Sequence, residues 1–265
     1  MNSPKEAVRE YWDTTPCGAQ DMPGKDRHTR AYFEEVERQR YAGDDFISDV
    51  VDFGSLRGKR VLEVGCGLGT DLRQFAKAGA TVTGLDLSSK SLALARKGFD
   101  FFGLEGTFVH GDGETLPFDD ASFDVVYSWG VIHHSPDPPA VVREIHRVLK
   151  PGGQILAMVY HARSLLVLQA WVYWGLLRGN LRASAREIVA GHVESPGTKV
   201  YTRAEARRLF DTFEDVDVEP IMTRFDLRLG RRLFLPTWTR RVVPDRMGWF
   251  LVVRGCKSAA PADYQ

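Results

Sequence analysis

An α/β fold, with seven strands in a mostly parallel sheet and helices on both faces, is predicted by three observations. Short apolar runs alternate with helical patterns through the middle of the chain. The first of these runs, residues 59–65, reads as a strand buried on both faces. A glycine-rich turn joins the first run to the first helix of the series, the connection that βαβ units use.

The elements follow in order. Residues 59–65 (KRVLEVG) read as a strand, the glycines after it as a turn, and residues 70–78 as a helix. Residues 80–85 form a second strand. Ser88 or Ser89 then caps a helix whose apolar positions Leu92, Leu94, Ala95 and Phe99 fall mostly on one face. Residues 106–110, 123–129 and 154–161 give strands three to five. Between the last two, Pro136, Pro138 and Pro139 preset a helix start, Val141, Val142, Ile145, Val148 and Leu149 supply its buried stripe, and Lys150-Pro151-Gly152-Gly153 stops it. Thr202-x-x-Glu205 is a capping box opening a helix to about Phe210, and residues 213–220 and 248–255 close the sheet.

Three pieces break this rhythm and read as helical lids. Residues 1–58 form an N-terminal segment, helical over 30–40 and 44–53. Residues 162–201 form a cap inserted after the core of residues 59–161. Residues 221–247 form a second insertion within the C-terminal part, 202–257, which residues 258–265 follow as a tail.

Composition narrows the class. The 265 residues carry 35 basic and 35 acidic side chains and are 43% hydrophobic, which places the chain among globular domains and excludes disordered and fibrous classes. Cys17, Cys66 and Cys256 show no metal-ligand spacing and imply a reducing, cytoplasmic setting with no metal. The polar N-terminus lacks the apolar core of a secretory signal, and the greasiest run, residues 165–177, is too short to cross a bilayer. Zero net charge hides a gradient: residues 162–265 hold 17 basic against 11 acidic, with Arg224, Arg228, Arg231, Arg232, Arg240, Arg241 and Arg246 late in the chain. A solvated face is the first reading of that cluster and an anionic partner the second.

The turn Gly65-Cys66-Gly67-Leu68-Gly69 sits where glycines let a ligand approach the backbone and a helix N-terminus offers free N–H groups. Its third glycine comes one residue too early for the dinucleotide fingerprint, which disfavours a pyrophosphate ligand and a nicotinamide oxidoreductase. Asp86 and Asp112 follow the second and third strands. All three features line the crevice at the strands' carboxyl ends, where open α/β sheets bind ligands.

VLEVGCGLGTDL, GLDLS, GDGETLPFDDASFDVVYSWGVIHH and REIHRVLKPGGQILAMVYH, in this order across residues 59–161, resemble the class I S-adenosylmethionine-dependent methyltransferases, in particular the small-molecule branch called methyltransferase type 11. GWFLVVRGCK resembles the reversed last strand of that Rossmann-like fold. The resemblance implies S-adenosylmethionine as cofactor, with S-adenosylhomocysteine as product. It implies that Glu63, Gly65 and Gly67 cradle the methionine part with Cys66 beside them, that Asp86 holds the ribose and Leu87 packs on the adenine, that Asp112, Gly113 and Glu114 border the adenine, and that Trp129 and Gly130 face the sulfonium.

Methyl transfer needs alignment, exclusion of water and, for a protonated acceptor, a base. His134 is the first candidate, with His133 and His161 behind it. Tyr11, beside Trp12, is placed to cover a cationic sulfur. Tyr41, Trp171, Trp174 and His192 are candidate acceptor contacts. The run of residues 165–177 is a buried cap helix in its first reading, and an acceptor pocket or membrane-interfacial helix in its second. The expected acceptor is a small, largely apolar metabolite, with or without an anionic group, and the expected assembly a monomer or homodimer. Nucleic acid is disfavoured by a pI of about 7.1 and by Trp129-Gly130-Val131-Ile132 where an Asn-Pro-Pro-aromatic signature would stand. Alkyl cyclisation releasing methylthioadenosine, or cofactor binding without turnover, would use the same motifs.

Overall fold

The structure, a computed structural model, describes residues 3–14, 26–229, 233–234 and 244–259. A seven-stranded sheet forms its centre. The strands are β1 (Arg60–Val64), β2 (Thr81–Asp86), β3 (Thr107–His110), β4 (Phe123–Trp129), β5 (Leu149–Tyr160), β6 (Glu214–Ile221) and β7 (Phe250–Cys256). Their spatial order is β3-β2-β1-β4-β5-β7-β6, and β7 runs antiparallel to both its neighbours while the first five pair in parallel. The reversal of order at β1/β4 puts a crevice over the carboxyl ends of those strands.

Local chemistry sets the helices. Gly69, in the left-handed region, precedes α3 (Thr70–Lys77), and Ser88 caps α4 (Ser89–Phe102) by accepting from Ser91 N. Asp137 caps α5 (Pro138–Val148), whose first positions are prolines that have no N–H to leave unpaired. The Thr202–Glu205 capping box opens α8 (Arg203–Leu209). The apolar faces of these helices pack on the two faces of the sheet. One face gathers Leu62, Val126, Ile145, Val148 and Leu251, the other Val61, Phe75, Ala95, Phe99 and Tyr127.

The extra segments add helices α1 (Pro4–Thr14) and α2 (Arg30–Gly43), and the cap adds α6 (Leu165–Ala170), which runs on into a π-helical turn at Trp171–Leu176, and α7 (Ala185–His192). Three expectations need correction. The helix over 44–53 is only a turn at Ile47–Val50 followed by a 3-10 turn at Phe53–Leu56, because Asp44 closes α2 and the Asp52 side chain starts the next turn. The fifth strand begins at Leu149, not 154. Leu149 pairs with Phe123 before a register shift, and the bulge that follows carries Gly152 at positive φ. Helix α1 was not foreseen. Cys17, Arg231, Arg232, Arg240 and Arg241, and the side chain of Arg228, lie outside the described residues.

Candidate functional site

Strand β1 ends by delivering its chain into the glycine turn, and β2 pins that turn from the side. The N–H groups of Gly65 and Cys66 both donate to the Leu85 carbonyl, at 2.7 and 3.0 Å. Gly65 has φ +77°, and a Cβ there would come within 2.2 Å of the Val131 side chain. Only glycine fits. Gly67 has φ +51° and a Cβ would meet nothing within 4 Å, so its backbone faces open space. Asp86 braces this loop, accepting from Gly67 N and Ser88 N at 2.8 Å each. Burial pushes its pKa up, and the two N–H bonds oppose that. Each carboxylate oxygen keeps lone pairs for a further donor.

Two buried acids sit beneath the turn in opposite states. Asp71 accepts from Arg40 at 2.7 Å and from the Tyr41 and Tyr127 hydroxyls at 2.9 Å each. Burial works to raise its pKa, but the Arg40 charge and these bonds outweigh it and hold the carboxylate below its ordinary range. Glu63 has no such partners. It is 4% exposed, its Oε2 has no hydrogen bond, and burial followed by the Asp71 charge pushes its pKa far up. An unpaired buried carboxylate is costly, and a cation brought beside it would relieve the cost.

Helix α1 crosses the third-strand side of the crevice. Lys5 bonds to Asp112 and lies 2.5 Å from Glu114, which also accepts from Ser135 Oγ at 2.5 Å and Asp137 N at 3.0 Å. The bond to Asp112 leads in raising the Lys5 pKa. Leu87, Asp112, Gly113 and Glu114 line the cavity. From α1 it is Trp12, not Tyr11, that forms part of the wall, with its ring edge-on to His134 at 5.2 Å.

The cavity, about 1860 Å3, continues past Trp129 and Gly130 into a second chamber under the cap. His134 lines the same cavity. Its Nδ1 lies 3.0 Å from Thr198 Oγ1 and 2.8 Å from Ser195 Oγ. The Thr198 hydroxyl donates to the Ser195 carbonyl at 2.7 Å, so toward Nδ1 it can only accept, whereas Ser195 Oγ can donate to Nδ1 or accept from it. Nε2 is 3.1 Å from Glu194 Oε2 without meeting hydrogen-bond geometry, while Tyr160 donates to that same oxygen at 2.6 Å.

His133 and His161 are elsewhere. The His133 ring is wholly buried, tilted against Tyr160 with ring centroids 3.7 Å apart and with both nitrogens unpartnered, and burial pushes its pKa well down. His161 Nδ1 donates to the Gly248 carbonyl at 2.9 Å, and burial lowers its pKa too. Neither lines the cavity.

The second chamber is walled by Met158, Leu166, Val172, Phe225, Trp249 and Phe250. Trp174 stacks on His192 at 4.1 Å, and the Arg178 guanidinium lies 4.5 Å from the Trp174 ring. Tyr41 and Trp171 are absent from this wall: Tyr41 is spent on Asp71, and Trp171 donates to the Ala183 carbonyl inside the cap. Sequence reasoning missed Lys5, Asp71, Tyr160 and Glu194. Glu194 alone has a structural mark of its own, a positive φ of 57° outside glycine.

Residues 62–157 match the family described as "Methyltransferase domain". Over 146 residues the chain is 37% identical to the malonyl-[acyl-carrier protein] O-methyltransferase of Erwinia pyrifoliae, an alignment covering 55% of this chain and 53% of that one. Over 125 residues it is 40% identical to the fatty-acid O-methyltransferase of Mycolicibacterium smegmatis, covering 46% and 44%. The chain thus spans about half the length of these curated relatives. In fold it is similar to the [4+2]-cyclase SpnF, at 19% identity, a TM-score of 0.62 and 98% coverage of both chains.

Proposed function

Residues 62–157 belong to the class I S-adenosylmethionine-dependent methyltransferase domain family, and from that premise we propose that the chain methylates an oxygen of a small, largely apolar acceptor bound beneath the cap. The observation that carries this reading is the continuity of the cavity. One hollow is lined by the glycine turn, by His134 and by the apolar side chains of the cap. The two O-methyltransferase relatives support an oxygen nucleophile, and the fatty acid named for one of them supports an apolar acceptor.

The residues present fit the cofactor. Glu63 Oε2 is a buried acceptor lacking a donor, suited to a cationic amino group, and the bare face of Gly67 admits a ligand against the backbone. Asp86 would hold the ribose hydroxyls with its remaining lone pairs, and Leu87 and Gly113 would flank the adenine. Tyr11 is proposed only as support for Trp12, whose ring it meets edge-on at 5.0 Å. When bound, S-adenosylmethionine supplies an electrophilic methyl group and leaves as S-adenosylhomocysteine.

The chain's own part is placement and proton handling. Trp129, Gly130 and Met158 border the junction of the chambers and, with Trp12 and the cap, exclude water from it. His134 receives the acceptor's proton at Nε2, where Glu194 at 3.1 Å stabilises the imidazolium that forms. Donation from Nδ1–H to Thr198 Oγ1 would leave the Nε2 lone pair to take that proton. Trp174 and His192 are the proposed acceptor contacts, whereas Tyr41 and Trp171 act only through the residues they brace.

The test is a metabolite-extract screen with methyl-labelled S-adenosylmethionine, reading both products. Label in an acceptor with matching S-adenosylhomocysteine supports the proposal. Release of methylthioadenosine, or consumption of neither, overturns it.

A further inference from the structure

Among the described residues six large apolar side chains are exposed, and five of them, Leu168, Tyr173, Leu176, Leu177 and Leu181, crowd into the cap. Leu177 and Leu181 are 72% and 61% exposed. Leucines left in water at that density mark an interaction surface, since scattered single exposure is the ordinary pattern. The same stretch is charged with one sign. Positions 163–186 contain Arg163, Arg178, Arg182 and Arg186 and no acid. Among the described residues only Arg186 of these four pairs with a carboxylate, that of Glu205.

The patch and the cavity share residues. Leu168, Tyr173, Leu177 and Arg178 line the cavity as well as standing at this surface, so the patch is the rim of the second chamber. A π-helical turn at Trp171–Leu176 continues the helix and carries Tyr173 and Leu176 of the patch.

We propose that this rim docks on an anionic lipid surface, with Leu176, Leu177 and Leu181 entering the headgroup boundary and Arg163, Arg178 and Arg182 meeting lipid phosphates. Apolar side chains beside arginines that pair with no carboxylate among the described residues suit a bilayer, which offers hydrocarbon and negative charge side by side. A second copy of the chain fits poorly, because a two-fold contact sets the same arginines against one another. An acidic protein satisfies the arginines and leaves the leucines facing charge. No helix among the described residues is long and apolar enough to cross a membrane, so the contact is interfacial. Docked this way, the chamber opens against lipid, and an apolar acceptor passes into it without crossing water. That route rests on the methyl-transfer reading; the docking does not.

The experiment is co-sedimentation of the full chain with vesicles of phosphatidylcholine, with and without phosphatidylglycerol. The chain should bind the anionic vesicles, bind the neutral ones far less, and be released by salt. Leu176 and Leu181 lie outside the cavity wall, so L176E/L181E should lose binding by about tenfold or more while keeping the melting temperature and S-adenosylmethionine affinity of the parent. R182E should weaken anionic-vesicle binding by about fivefold at low salt. Binding to neither vesicle, binding that L176E/L181E leaves intact, or a solution dimer that L176E/L181E dissolves would each overturn the docking. Vesicle binding without methyl transfer would keep the docking and remove the proposed activity.

Discussion

The chamber at the ends of β1 to β4 and the chamber under the cap are assembled by different means. The first is made of backbone: a turn pinned to the Leu85 carbonyl, Gly67 presenting bare main chain, and Asp86 tied to two N–H groups. Its residues are neighbours in sequence and at fixed places on strand ends. The second is made of side chains from remote segments, with Trp12 from α1, Glu194 after α7, Phe225 from the second insertion and Trp249 beside β7. A site built on main chain tolerates few changes and holds one ligand, whereas a side-chain chamber changes its acceptor without changing the fold.

The largest expected break in this comparison is at the junction. His134→Ala should lower turnover by about 10²–10⁴-fold if the ring takes the acceptor's proton. S-adenosylmethionine affinity, read by calorimetry, should stay as it was, because His134 belongs to the side-chain chamber. Lost affinity together with unchanged turnover per bound cofactor would erase the division between the chambers.

Next come the two turn glycines, which test the backbone chamber directly. Gly65→Ala places a methyl 2.2 Å from Val131 at a left-handed backbone position, for a loss of about 2–5 kcal/mol in folding free energy from clash and strain together. Gly67→Ala carries only the strain, about 1–2 kcal/mol, since nothing lies within 4 Å of its Cβ. Urea unfolding separates the two. Equal losses would mean that Val131 moves aside and the turn is looser than its hydrogen bonds imply.

Asp86→Ala should weaken S-adenosylmethionine binding by about 1.5–3 kcal/mol, the worth of charge-assisted bonds. The acceptor's KM should not move. Part of the loss has a structural source, because the substitution also strips Gly67 N and Ser88 N of their acceptor. Asp86→Asn keeps one oxygen to accept from those donors and should recover part of the affinity.

These expectations also explain what the sequence could disclose. Glycine spacing, a capping serine and acids at strand ends are local signals, so the sheet, Ser88, Gly65, Gly67 and Asp86 were legible before any coordinates. The partners of those residues were not. Nothing near Glu194 in sequence points to His134, sixty residues earlier; the two meet because Lys199 N bonds to the His133 carbonyl and draws the cap's last loop across the 3-10 turn at Ile132–His134. In the same way Asp71 reads as an exposed helix residue until Arg40, Tyr41 and Tyr127 converge on it. Residue type alone does not rank His133, His134 and His161, whose partners and burial are set in three dimensions. Tyr11 and Trp12 posed the same problem, since adjacent helix positions face different ways.

The smallest expected effect concerns the seam between the two regions. Arg186 on α7 reaches Glu205 on α8 at 2.6 and 2.7 Å, tying cap to core. Arg186, followed by the Thr202 backbone N–H, holds the Glu205 pKa down to about 2, below the ordinary 4.5. A carboxyl depressed on folding stabilises the protein above its unfolded pKa, so this contribution is whole above about pH 4.5 and is lost as pH falls from there through about 2. The site is partly exposed, and solvent screening limits the contribution to about 1 kcal/mol or less. Glu205→Gln keeps the capping box while removing the charge. Its stability deficit should be present at pH 7 and shrink toward pH 2, and hydrogen exchange should quicken in α7 while β1 stays protected. A deficit that ignores pH would assign the effect to capping, and exchange that quickens equally in both would show that cap and core open as one unit.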